Sequence, residues 1–238
     1  MNSATLVGPV ITVDKLLSDG YNAVFIATGV WNPKTLNIPG ETLGHSVYAI
    51  DYLKNPSVYQ LGKRVIVIGA GNVAMDAARS AKYYGAEHVQ ICYRRSLEKM
   101  TATKAEIEET KNEGIEFTLY KSPVRITDEG VVFASTEKVI HPDGTETLQI
   151  ISDSELLYPC DNVIIAVSQT PQANIVTGSP DLQTRYQLLV TDESGHTTKQ
   201  GVFACGDVVS GARTVIEAVA AAKIVADSID EYCSSSSK

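Results

Sequence analysis

Arg64-Val65-Ile66-Val67-Ile68 is an unbroken apolar run behind a single charge, the pattern of a strand buried on both faces. Glycines follow, then a stretch that reads as a helix to about Tyr84, then a second strand at His88 to Tyr93. Strand, glycine turn, helix and strand within about 30 residues make one βαβ unit, the smallest piece of a parallel doubly wound sheet. A further helix is expected from near Thr103, where Thr103 and Glu106 have capping-box spacing, to Gly114. Its Glu106, Glu108 and Glu109 read as a solvated helix face rather than a carboxylate site. Between Val124 and Leu157 the texture changes to short alternating strands with an Asp143-Gly144 turn, so an antiparallel β-meander is expected as an insertion. Asn162 to Val167 returns as a buried strand that ends at Ser168.

The flanks are less regular. A short helix from Thr12 to Leu17 precedes an apolar strand, Ala23 to Ala27, that ends in Thr28-Gly29. Pro33, Pro39 and Gly40 then break the pattern as a hinge would, and Val47 to Leu53 reads as a short helix. After Ser168 come strands at Leu188 to Val190 and Val202 to Cys205, a helix from about Ala212 to Tyr232, and a low-complexity Ser234 to Ser237 run expected to be frayed. The fold class is α/β, a doubly wound parallel sheet with the inserted meander and a partial second domain. The expected boundaries are 1–58, 59–168 and 169–238.

Composition narrows the function. With 238 residues, 44% of them apolar, the chain can bury a sizeable core. Its formal charge of -8 argues against a nucleic-acid or membrane-surface partner, since a polyanion is repelled on average. No apolar run approaches the roughly 20 residues of a membrane span, and the opening MNSATLVGPV lacks a signal peptide's basic flank, so a cytoplasmic location is expected. Cys92, Cys160, Cys205 and Cys233 form no CxxC pair and read as buried reduced thiols. The histidines, His45, His88, His141 and His196, show no metal-ligand spacing, so no metal site is expected.

The chemistry sits on Gly69-Ala70-Gly71-Asn72-Val73-Ala74, a G-x-G-x-x-A placed after a buried strand and at the mouth of a helix. Gly69 permits the tight turn, Gly71 lets a pyrophosphate approach the backbone, and Ala74 allows close helix-strand packing. The free amides and the positive helix end, at Asn72 and Val73, then face the phosphates. The second strand ends in Tyr93-Arg94-Arg95-Ser96, where an NAD enzyme commonly carries an acid for the ribose. Arg94 and Arg95 suit a 2′-phosphate through charge-assisted hydrogen bonds, so NADPH is expected over NADH. Asp207, at the end of a buried strand and after Gly206, and Thr214 before the small-residue run Ala218 to Ala222 suggest a second ligand surface.

Four stretches carry a resemblance: Ala27-Thr28-Gly29, Gly69 to Arg79, Tyr93 to Ser96, and Gly201 to Val219. Together they resemble the NADPH-dependent glutamate synthase small (beta) subunit family, within the FAD/NAD(P)-dependent pyridine nucleotide-disulphide oxidoreductases. Its relatives include a subunit of the NADH-dependent ferredoxin:NADP oxidoreductase and the amino-terminal half of dihydropyrimidine dehydrogenase. The resemblance implies an NADPH domain inserted between two segments of a Rossmann-like FAD domain. It places Gly29, Gly206 and Asp207 along the FAD, with the backbone near Thr214 facing the isoalloxazine. Hydride would pass from NADPH to FAD, no side-chain acid or base is assigned, and the partner would be a large glutamate synthase subunit or an iron-sulfur protein. Two departures stand out. Ser168 occupies the glycine of the family's A-I-G-Q-T-P-like turn, and only 26 residues precede Ala27, with Gly8 and Gly20 their only glycines, where a first G-x-G-x-x-G is expected. The expectation is a fragment of a flavoprotein, with a complete NADPH site and an incomplete FAD site, inactive in isolation. A thioredoxin-reductase-like enzyme is disfavoured by the missing CxxC. A ferredoxin-linked or dihydropyrimidine dehydrogenase-like oxidoreductase, or a nucleotide-binding module without catalysis, are the alternatives.

Overall fold

The run at Arg64–Gly69 becomes the centre of a five-stranded parallel sheet, in the order Ser46–Tyr48, Asn162–Ala166, Arg64–Gly69, His88–Tyr93 and Glu116–Leu119. The computed structural model describes residues 6–236. Side chains alternate between the two faces of a strand, and here both faces are covered. Val65, Val67, Ile91 and Ile164 pack with the helices Ala49–Tyr52, Asn72–Tyr83 and Lys104–Asn112. Ile66, Ile68, Cys92, Val163 and Ile165 pack instead with Ile126, Val131 and Phe133 of the meander. A strand with a polar alternation would leave one of these layers without a partner, which explains the continuous apolar run.

Helix Asn72–Tyr83 turns Ala74, Ala77, Ala78 and Ala81 inward, all 0% exposed. Their i, i+3, i+4, i+7 spacing is one helix face, and methyl-sized side chains let that face lie close on the sheet. Helix Lys104–Asn112 starts as its capping spacing requires, with the Thr103 hydroxyl accepting from the Glu106 amide at 3.2 Å. The reciprocal half of the capping box is made differently. The Thr103 amide donates to Asn72 Oδ1 at 2.9 Å, and the Glu106 carboxylate lies 3.3 Å from Arg79. Arg79 also pairs with Glu109 and Glu113, so these carboxylates tie two helices together.

The meander consists of Lys121–Thr127, Gly130–Ile140, Glu146–Ile150 and Leu156–Pro159, each of the other three strands pairing antiparallel with the long Gly130–Ile140. Gly144 takes φ 80 in the expected turn and donates to the His141 carbonyl. Two elements differ from the sequence reading. Val47 and Tyr48 lie in a short edge strand, not a helix, because they pair with Ile164 and Ile165; only one helical turn, Ala49–Tyr52, follows. Glu116–Leu119 adds a strand that the reading passed over. The chain divides at Pro33 and Ser168, so that Pro33–Ser168 forms one unit. The first boundary thus falls at Pro33 rather than near 58, since the edge strand Ser46–Tyr48 belongs to the five-stranded sheet.

In the other unit, Val24–Ile26 pairs in parallel with Val202–Ala204 over a core of Val13, Ile26, Leu182, Leu189, Val202, Ala204 and Val208. Thr12 caps the helix Val13–Ser18 by accepting from the Lys15 amide. A separate turn, Asp207–Ser210, and Gly211 at φ 76 precede the last helix, Val215–Ser236, which therefore starts later than Ala212. That helix continues through Ser234 to Ser236 instead of fraying; Ser237 lies outside the described residues.

Candidate nucleotide-binding site

Gly69 is paired in register with Ala166, at the point where the strand order reverses direction. Open α/β sheets bind ligands at the carboxyl ends of strands at such a switch point. Gly69 has φ 151, and a Cβ there would stand 2.2 Å from the Ala166 carbonyl oxygen. Only glycine fits. Gly71 serves as the N-cap of helix Asn72–Tyr83 with no side chain capping it, and the Ala74 and Met75 amides turn back to its carbonyl. Among the described residues, the amides of Gly71, Asn72 and Val73 have no hydrogen-bond acceptor. A Cβ on Gly71 would reach 3.3 Å from Thr101 Oγ1, so the cradle is narrow on that side as well.

The turn is braced from below. The Ala70 carbonyl accepts from both Thr101 and Ala102, at 3.1 and 3.0 Å. With the Asn72 to Thr103 bond, this fixes the segment after the arginines to the glycine turn. Asn72 thus contributes its backbone to the cradle while its side chain is engaged within the protein. Val73 is half-buried and Ala74 fully buried, so Ala74 packs and does not face outward.

Arg94 and Arg95 follow strand His88–Tyr93 and are exposed, with no ion pair to either among the described residues. In a chain with 28 acidic residues, two adjacent unpaired guanidiniums at a strand end form a local cationic site. The same unit holds Cys92 and Cys160 in its core, where burial pushes both thiols up, Cys160 to about 11. Neither is a reactive thiolate. Burial, followed by the nearby Glu106 charge, also raises the Asp76 carboxyl.

The residues expected at a second ligand lie in the other unit. Gly29 and Gly206 follow the two paired strands and adopt φ 69 and 72, so both sit at the same carboxyl edge. Asp207 accepts from the Arg213 amide at 3.2 Å through Oδ1. Thr214 begins the last helix in a full capping box: its amide and hydroxyl donate to Glu217, at 3.0 and 2.7 Å, and the Glu217 amide donates back. These bonds, with Arg213, hold the Glu217 carboxyl below its ordinary value. The sequence reading found the glycines and charges but missed Glu41, a buried carboxylate that accepts from the Leu36 and Asn37 amides and the Tyr48 hydroxyl. No group of three or more potential metal ligands occurs among the described residues, and no helix among them is long and apolar enough to cross a membrane.

Comparison with solved structures gives the class first. Mycobacterium tuberculosis FprA in complex with NADPH superposes over 98% of this chain and 68% of that one, with a TM-score of 0.78 at 20% identity. The fold is therefore the parallel α/β fold of such nucleotide-binding proteins. Residues 4–222 match the profile of the pyridine nucleotide-disulphide oxidoreductases, and the chain belongs to that family. Two curated relatives are the NADP(+)-dependent formate dehydrogenase subunit beta of Moorella thermoacetica and the glutamate synthase [NADPH] small chain of Azospirillum brasilense. The first is 35% identical over 98% of this chain and 34% of the relative; the second is 34% identical over 88% and 48%. The chain thus spans about half or less of their length. The family agrees with the expected cofactor pair, NADP(H) and FAD.

Proposed function

We propose that the unit Pro33–Ser168 binds NADPH, with the pyrophosphate on the amides of Gly71, Asn72 and Val73 and the 2′-phosphate on Arg94 and Arg95. The observation that carries this reading is the helix start with three unclaimed amides at the sheet's switch point. Phosphate oxygens are acceptors only, and the helix dipole adds to the attraction. The unpaired arginines supply the charge that distinguishes NADPH from NADH.

We propose further that the other unit contributes Gly29, Gly206, Asp207 and the backbone at Thr214 to an FAD site. The two positive-φ glycines allow close approach of a ligand, and Asp207 Oδ2 has no partner among the described residues and suits a ribityl hydroxyl. Bound there, FAD would supply the hydride-accepting and electron-carrying chemistry, which belongs to the cofactor itself. The residues of this chain bind and orient, and no side chain is assigned as acid or base. The curated relatives are named as a small chain and a subunit beta, which supports work beside a larger partner, such as a large glutamate synthase subunit or an iron-sulfur protein. Buried reduced thiols fit a cytoplasmic setting.

Titration of the full chain with NADPH and NADH tests the site. The wild type should prefer NADPH. Arg94→Ala should weaken NADPH by about tenfold or more, as expected from losing a charged hydrogen bond of about 1.5 to 3 kcal/mol, and leave NADH nearly unchanged. Equal wild-type affinities for the two would overturn the 2′-phosphate assignment.

A further inference from the structure

The arginine pair stands on a backbone fixed from outside its own strand. Thr136, 4% exposed in the meander strand Gly130–Ile140, donates its hydroxyl to the Arg94 carbonyl at 2.6 Å. The Thr136 amide donates to the Tyr120 carbonyl at 2.9 Å, and the Tyr120 amide donates to the Arg95 carbonyl at 3.4 Å. Three hydrogen bonds thus link Arg94, Thr136, Tyr120 and Arg95 in a loop. Tyr120 joins it with φ 58, a left-handed conformation that bulky residues seldom adopt. A third brace comes from Glu146 on the neighbouring meander strand, 3.4 Å from Lys99, in the segment that follows the arginines.

Thr136 shares its face of the strand with Val132 and Ala134, both buried, and is the one polar side chain of the three. Valine has nearly the same shape as threonine and equal liking for strands, so packing alone does not call for a hydroxyl here. What the hydroxyl adds is a fixed Arg94 carbonyl. An arginine gives up rotamer freedom on binding, and a backbone that is already ordered removes part of the remaining cost.

We propose that Thr136 is a positioning residue for recognition of the 2′-phosphate, and that the inserted meander acts as a specificity element of the nucleotide site. The proposal rests on the assignment of Arg94 and Arg95 to that phosphate. It goes beyond that assignment by making discrimination depend on a buried hydroxyl that touches no ligand.

The test uses the full chain with two probes, 2′,5′-ADP and 5′-AMP, measured by titration calorimetry for wild type, Thr136→Val, Thr136→Ala and Thr136→Ser. Wild type should prefer 2′,5′-ADP. Val and Ala should each lose about fivefold to tenfold of that preference while keeping their 5′-AMP affinity, and Ser should restore it. The second truncation serves if either variant fails to fold, which thermal melting reports. Preference retained in Val and Ala, or equal weakening of both probes, would overturn the positioning role and leave the arginine assignment standing. A wild type that binds both probes alike would instead remove the arginine assignment itself.

Discussion

Two residues in left-handed or related backbone regions mark opposite solutions to one constraint. At Gly69 the neighbouring Ala166 carbonyl excludes any side chain, and the sequence supplies none. At Ser168 the chain also takes a positive φ, 89, just after strand Asn162–Ala166, yet it carries an exposed serine where the resembling family has glycine. The Ser168 carbonyl accepts from the Lys34 amide at 3.0 Å, and that bond holds the turn against its strain. A left-handed L-residue costs about 1 to 2 kcal/mol, and glycine's extra freedom in the unfolded chain takes back about half of the gain. Ser168→Gly should therefore raise stability by up to about 1 kcal/mol in urea unfolding. A lowered midpoint would show that the serine side chain makes a contact worth more than the strain.

At the scale of elements, the central strand is anchored where it begins. Asp161 accepts from the Arg64 amide and from its guanidinium, both at 2.8 Å, and the Asp161 amide donates back to the Arg64 carbonyl. These bonds join the starts of two adjacent parallel strands. The Arg64 hydrogen bonds hold the Asp161 carboxyl below its ordinary value. A lowered folded-state value means that the contribution is complete above the unfolded value, about pH 4, and is lost as pH falls through the lower folded one. The pair is half-exposed, so solvent screens it and its contribution is small. Asp161→Asn should be slightly less stable than wild type at pH 7, with the gap closing below about pH 4 in denaturant titrations. A gap that widens in acid would contradict the sign.

For the whole molecule, what was legible depended on how local the signal is. The run Arg64 to Ile68, the spacing of Gly69, Gly71 and Ala74, and the helix cap at Thr103 each declare themselves within a few residues, and strand, turn and helix stand where expected. The edge strand at Val47 and Tyr48 did not, because three residues gain strand character only by pairing with Ile164 and Ile165 far along the chain. Asn72 was legible as part of the glycine motif, but its acceptor role toward Thr103 depends on a partner 31 residues away. Thr136 reads as an ordinary strand former until the fold brings it to Arg94, 42 residues earlier. The meander itself was visible, but not that it would cover the face of the sheet opposite the helices.

The three unclaimed amides at Gly71, Asn72 and Val73 also set how this molecule trades hydrogen with solvent. Protection of an amide requires an acceptor, so these positions should exchange with deuterium at close to the rate of an unstructured chain, although they adjoin the fully buried central strand at Val65 to Ile68. Adding NADPH should slow them while the neighbouring strand stays unchanged. Mass-resolved exchange over the peptide spanning Gly69 to Met75 would read this directly, and an unchanged rate at saturating nucleotide would place the phosphates elsewhere. Amides that gain an acceptor only when a nucleotide binds are a built-in reporter of occupancy, needing neither turnover nor a coloured cofactor to be read.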